Sequence, residues 1–209
     1  MPNSSFTVFV VDDDAAVTRA LGRLLGTYGY NVRSAGSAEE FLQKHDSTLP
    51  GCILLDIALP NLDGLELQAA LAESGLQRPI VFLTASCDVR VGVQAMRAGA
   101  VDFLVKPIEE ANLLAAVRQA IERDTVSRRA HDKRAAVEHQ LSKLTPRERE
   151  VMSHVVAGRL NKQIAGDLGI VEKTIKVHRG RVMAKLGLRT VADLVRLAER
   201  AHLPGPKLH

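Results

Sequence analysis

Three aspartates in a row, Asp12, Asp13 and Asp14, close the run "FTVFVV" at residues 6–11. Neighbouring like charges repel. A solvated turn or a helix cap uses one aspartate, so three together point to a bound cation. Elsewhere Asp56 follows "GCILL", Thr84 follows "PIVFL" and Lys106 follows "VDFLV". These residue types suit one chemistry. Clustered carboxylates hold Mg²⁺, and an aspartate can attack phosphorus to form an aspartyl phosphate. The negative charge of a transferring phosphoryl group is met by Mg²⁺, an ammonium, a hydroxyl and backbone N–H groups.

The elements that position these residues are legible. The apolar runs read as strands buried on both faces, "NVRSA" as a short strand, and between them lie helical patterns. "AVTRALGRLLGTYGY" has Val17, Leu21, Leu24, Leu25 and Tyr28 at helical spacing. "SAEEFLQKH" carries Ser37 as a cap, and "GLELQAALAE", "DVRVGVQAMRAGA" and "EEANLLAAVRQAIER" complete the set. Five strands alternating with five helices make a doubly wound parallel sheet, flavodoxin-like. Ligands of such sheets sit beyond the carboxyl ends of the strands. One polar residue can end a strand merely because strands end at the surface; three carboxylates, a hydroxyl and an ammonium converging on one rim favour a ligand.

The motifs "VVDDD", "ILLDIALPNLDG", "VFLTA" and "FLVKP" resemble the receiver domain of two-component response regulators, over about residues 5–124. The resemblance implies Asp56 as phosphoacceptor and Mg²⁺ held by Asp12, Asp13, Asp56 and the Ala58 carbonyl. It implies Thr84, Ala85 and Lys106 as phosphoryl contacts, Phe103 as the switch aromatic whose rotamer follows Thr84, and a cis Lys106-Pro107 peptide. It also implies a sensor histidine kinase as partner, and a phosphoryl acceptor rather than an enzyme. Ala58, Leu59 and Ile108 depart from common family residues beside the site. Val91, Gln94, Ala95 and Ala98, with Asp102 and Leu104, are the expected face of a homodimer formed on phosphorylation. A phosphatase of the haloacid-dehalogenase type is the enzyme alternative, since Asp12-Asp13-Asp14 contains D-x-D. That family's Thr or Val is replaced by Ala16 and its late acidic pair is missing. No Gly-x-Gly-x-x-Gly follows the first strand, which excludes the usual dinucleotide site.

Charge divides the chain. Residues 1–124 carry 10 Lys/Arg and 16 Asp/Glu, while residues 125–209 carry 18 and 8, so an acidic front precedes a basic back. The basic part makes nucleic acid the expected partner. No apolar stretch is long enough to span a membrane, no signal-peptide pattern opens the chain, and Cys52 and Cys87 lie in apolar runs that suit buried free thiols. A cytoplasmic protein is expected. Residues 125–140 form a charged linker without Gly or Pro, with Val126, Ala130, Val137 and Leu141 on a partial stripe. That stripe suits a helix pairing two chains, and equally a solvated helical linker.

Residues 141–204 read as a small all-α domain of four short helices. Thr145, Pro146 and Glu148 form a capping box with Pro at the first helical position. Asn161 is the expected cap of the next helix, Gly169 makes the turn, and Thr190 caps the last helix. In the basic helix, Ile175, Val182 and Leu186 share an inward face. The opposite arc carries Lys173, Lys176, Val177, Gly180, Arg181 and Ala184, small residues among cations that suit a major groove. "LTPREREVM", "NKQIAGDLGI" and "KTIKVH…KLG" resemble the LuxR-type helix-turn-helix domain. With the receiver, this gives a response regulator of the FixJ/NarL class, whose expected partner is promoter DNA. The resemblance implies DNA contacts from Lys173, Thr174, Lys176, Val177, Arg179 and Arg181. Val171 departs from the family's common Ser and leaves the recognition helix without a side-chain cap.

Overall fold

The computed structural model describes residues 5–74, 78–86 and 88–201. Cys87 lies outside the described residues. The chain divides into two compact units, residues 1–128 and 129–209.

In the first unit, strands β1 (Thr7–Val11), β2 (Asn31–Ala35), β3 (Gly51–Asp56), β4 (Ile80–Thr84) and β5 (Asp102–Val105) alternate with helices α1 (Ala15–Thr27), α2 (Ala38–Lys44), α3 (Gly64–Glu73), α4 (Val89–Arg97) and α5 (Glu110–Ser142). All strand pairs are parallel, in the order β2-β1-β3-β4-β5. Because successive side chains leave a strand on opposite faces, each strand feeds two cores. Val8, Val10, Leu54, Leu83 and Cys52 pack against Leu21 and Leu25 of α1 and Leu113 and Val117 of α5. Phe9, Ile53, Leu55 and Phe82 pack on the other face against Phe41 of α2, Leu67 and Leu71 of α3 and Ala95 of α4. Burying one such Leu, Ile or Phe contributes about 1.5–3 kcal/mol, which is why both sheet faces must be covered. Gly51 opens β3 with φ +147°; a Cβ there would lie 1.8 Å from the Thr7 carbonyl oxygen, so the close approach of β1 admits only glycine. The Cys52 thiol, fully buried beside it, is pushed up to about 12 by desolvation.

The third aspartate of the opening cluster is a cap. The Ala16 N–H donates to Asp14 Oδ1 at 2.7 Å at the start of α1. Ser37 caps α2 in the same way through the Glu40 N–H.

The second unit contains α6 (Pro146–Val156), α7 (Asn161–Asp167), α8 (Glu172–Leu186) and α9 (Val191–Arg200), with the end of α5 packed among them. α5 runs unbroken through the connector, and the stripe expected there divides. Val137 and Leu141 enter the core of the second unit, whereas Val126 and Ala130 are exposed. Thr145 and Glu148 close the capping box on α6, and Thr190 caps α9. Asn161 is not a cap. It is the first helical residue of α7, its amide oxygen accepts from Arg179 Nη1 at 2.5 Å, and Leu160 stands at the cap position. Ile175, Val182 and Leu186 are buried as their spacing requires.

Candidate functional site

Strand register builds the site. β1 pairs with β3 through Val11 and Leu55, so the next residues, Asp12 and Asp56, emerge side by side. This is where the strand order reverses, the place at which open parallel sheets bind ligands. β4 pairs with β5 through Thr84 and Val105, and Lys106 follows one residue later. The Lys106-Pro107 peptide is cis.

Lys106 ties the rim together. Its Nζ donates to Asp12 Oδ2 at 2.7 Å and to Asp56 Oδ2 at 2.8 Å. Asp12 is 1% exposed and Asp56 6%. Burial raises the Asp12 carboxyl above its ordinary value, against hydrogen bonds from Lys106 and the Asp14 N–H, while the neighbouring Asp56 charge pushes the same way as burial. For Lys106, burial opposes the charge, but the two carboxylates outweigh it and hold the ammonium above its usual range. Asp13 is exposed at the edge, and carboxylate oxygens of Asp12, Asp13 and Asp56 lie within 4.8 Å of one another. An all-oxygen donor set of this kind fits Mg²⁺, which keeps much of its water. The Ala58 N–H donates to Asp56 Oδ1 at 3.2 Å, bringing that backbone against the carboxylate.

Thr84 stands on the same rim, but its hydroxyl is engaged with Ser86, accepting from the Ser86 N–H and donating to the Ser86 carbonyl. Ala85, between them, is exposed. Phe103 is half-buried on β5, and its ring lies across from Gly92 of α4, where an added Cβ would meet it at 3.6 Å. One residue beside the site went unmarked in the sequence. Gly64 starts α3 against the Asp56 loop, and a Cβ there would fall 2.5 Å from the Asp56 carbonyl oxygen.

The expected dimer face needs correction. Ala95 is fully buried in the core on the α4 face of the sheet, and Val91, one helical turn before it, is half-buried. Leu104 packs into the α1/α5 core. Gln94 and Ala98 are exposed and Asp102 is half-buried. The large apolar residues exposed on this side are Val89, Val93, Met96 and Val105.

In the second unit, Lys173, Lys176, Val177, Gly180, Arg181 and Ala184 all lie on the exposed arc of α8. Thr174 is half-buried, and Arg179 is tied to Asn161 of α7. Lys176 lies 3.8 Å from Glu172 on the same helix. A pairing that the linear pattern does not disclose fixes this helix. Glu148, 3% exposed, accepts from Lys185 Nζ of α8 at 2.6 Å while closing the α6 capping box. The Lys185 ammonium and the Thr145 N–H hold its carboxyl down at about 2.

Residues 8–118 match the response regulator receiver domain, and residues 142–198 match the luxR family of bacterial regulatory proteins. The chain is a response regulator. It belongs with the two-domain regulators of the FixJ/NarL class, and it is a transcriptional regulator of a two-component system. It is 43% identical over 192 residues to Nodulation protein W of Bradyrhizobium diazoefficiens, covering 92% of this chain and 85% of that one. It is 39% identical over 198 residues to the transcriptional regulatory protein FixJ of Azorhizobium caulinodans, covering 95% and 93%. Among solved structures, the response regulator StyR aligns with a TM-score of 0.83 at 43% identity, covering 94% of this chain and 99% of that one. Full-length FixJ from B. japonicum aligns at 0.58 and 36%, covering 96% and 99%. Among the described residues of this response regulator, no helix is long and apolar enough to cross a membrane.

Proposed function

We propose that this response regulator accepts a phosphoryl group on Asp56 from a sensor histidine kinase, and that the modified form dimerises and binds promoter DNA. It acts as an acceptor and not as a turnover enzyme. The observation that carries the reading is Lys106 Nζ shared between Asp12 and Asp56, with three carboxylates gathered at the topological switch point. Asp12, Asp13, Asp56 and the Ala58 carbonyl would hold Mg²⁺, which neutralises charge on the transferring group. An Asp56 carboxylate oxygen attacks phosphorus, the bond from phosphorus to the donor breaks, and an acyl phosphate remains. Lys106 stays beside it as a fixed positive charge. Thr84 leaves Ser86 to meet the phosphoryl oxygens, the Ala85 N–H joins it, and Phe103 turns inward into the space Thr84 vacates.

The exposed apolar row Val89, Val93, Met96 and Val105 surrounds Phe103 and supports this face as the one that pairs. The exposed cations and small residues of α8 support insertion into a major groove, with Lys176 and Val177 at base edges.

Acetyl phosphate with Mg²⁺, followed by mapping of the label, tests the reading. One label at Asp56, lost in Asp56→Asn and on chelation of Mg²⁺, is expected. A label that survives in Asp56→Asn overturns it.

A further inference from the structure

At the end of the sheet opposite Asp56 lies a cavity of about 330 Å³ with polar and apolar walls. Its walls come from α3, the start of β4, the turn after α4, and α5, and include Gln68, Arg78, Arg123 and Ser127 beside Leu71 and Ile80. Two of these side chains are buried without full satisfaction. Arg78 is 7% exposed. Its Nη2 donates to the carbonyls of Asp46 and Leu49 at 3.0 and 2.7 Å, and its guanidinium carbon lies 4.7 Å from the centre of the Phe9 ring. Among the described residues its Nε and Nη1 have no partner. Gln68 is 6% exposed. Its Nε2 donates to the carbonyls of Ala95 and Ala98, and its Oε1 accepts nothing among the described residues.

The charge is only partly balanced. Burial opposes the Arg78 cation and shifts its pKa downward. The buried carboxylate nearby, Asp124, is already engaged by Arg128 and the Gly51 N–H. Arg123 adds a second cation to the wall, and neither it nor Arg78 forms an ion pair among the described residues. Asp124 and Asp46 lie near enough to favour the Arg78 charge without forming an ion pair with it, and a buried cation with no carboxylate in contact is costly.

We propose that this cavity binds a small oxyanion bearing a hydroxyl, of which hydrogen phosphate is the simplest. Its oxygens accept from the arginines, for which phosphate is a favoured partner. Its P–OH donates to Gln68 Oε1. A lone water would satisfy hydrogen bonds but not charge, and it takes only about 30 Å³. The apolar wall of Leu71 and Ile80 leaves room for a short organic group, so the anion is either inorganic phosphate or a small phosphate monoester.

The full chain, in chelator without Mg²⁺, is titrated with inorganic phosphate, glycerol phosphate and sulfate while the amide signals of Gly99 and Ser127 are followed by NMR. A saturable shift at both amides is expected. It should weaken about tenfold or more in Arg123→Ala, whose side chain reaches the surface and whose loss leaves the fold intact, and stay unchanged in Asp56→Asn. Sulfate, which has no hydroxyl at neutral pH, should bind about tenfold more weakly. Tighter binding of glycerol phosphate than of phosphate assigns the site to a monoester, and the reverse order to the inorganic ion. No saturable shift, equal binding of sulfate, or indifference to Arg123→Ala overturns the proposal. None of these outcomes touches the Asp56 reading, because Mg²⁺ is absent throughout and Asp56→Asn serves as a control.

Discussion

Thr84 and Ser86 hold each other in a closed pair: the Ser86 N–H donates to the Thr84 hydroxyl at 3.1 Å, and that hydroxyl donates to the Ser86 carbonyl at 3.2 Å. A hydroxyl so engaged reaches a phosphoryl group on Asp56 only by releasing its loop. Acceptance and response therefore separate. Thr84→Ala should still label at Asp56, yet lose about tenfold, ~1.4 kcal/mol, of the gain in DNA affinity that labelling brings. Anisotropy titrations of labelled and unlabelled protein measure this. A full gain in the variant removes Thr84 from the coupling.

Gly64→Ala should disturb the acceptor without touching its chemistry. The new methyl would press on the Asp56 carbonyl and on Ile57 Cα, 2.5 and 3.0 Å away, and backbone cannot swing aside as a side chain can. A loss of about 1–3 kcal/mol is expected from such overpacking. Slower acetyl phosphate labelling should accompany it. Unchanged stability and rate would mean that the loop yields freely.

Lys176→Ala should weaken specific DNA binding by about 1–3 kcal/mol if its ammonium reads a base. Its neighbour Glu172, at 3.8 Å, competes for it in the free protein. Competition titrations against random DNA provide the comparison: equal losses on both DNAs make Lys176 a phosphate contact.

Glu148 gives the DNA-binding unit an acid limit. Its carboxyl binds a proton less readily folded, near about 2, than at the ordinary value of 4.5. Its contribution is complete above pH 4.5 and drains away as pH falls toward 2. Lys185→Ala leaves a buried carboxylate without its ammonium and should cost about 1–3 kcal/mol, with a flatter acid limb in urea melts across that window. A variant with the same acid limb as the parent would place the sensitivity elsewhere.

Val171→Ser should stabilise this unit. Val171 sits at the cap of α8 with no side-chain acceptor, and at 68% exposure it has little packing to lose. A serine oxygen there accepts an orphan N–H of the first turn, worth ~0.5–2 kcal/mol. Denaturant melts of a chain beginning at residue 129, which keeps Val137 and Leu141 in the core, compare the two; a lower midpoint for serine counts against capping.

The acceptor rim was legible because it is written in one dimension. A polar residue directly after a buried strand must emerge at the strand's end, and parallel register then carries Asp12 beside Asp56 and Lys106 past Thr84. Caps such as Thr145 and Thr190 were legible for the same reason, since a cap reads only residues two or three places on. What failed depends on which neighbour a side chain finds across space. Asn161 turns to Arg179 on another helix instead of capping its own. Ala95 and Leu104 carry no local sign of whether they face sheet or solvent, and both pack inward. The Glu148–Lys185 contact spans 37 residues, beyond any helical or strand period.

The centre of the receiver also carries its own clock. Cys52 sits in the middle of the sheet with its thiol pushed up to about 12, and only thiolate reacts with an alkylating reagent. In a Cys87→Ser chain, the rate at which iodoacetamide consumes the remaining sulfur therefore counts how often the sheet comes apart. The same count, taken with and without the acyl phosphate, reads how far modification at the rim reaches into the interior of the domain.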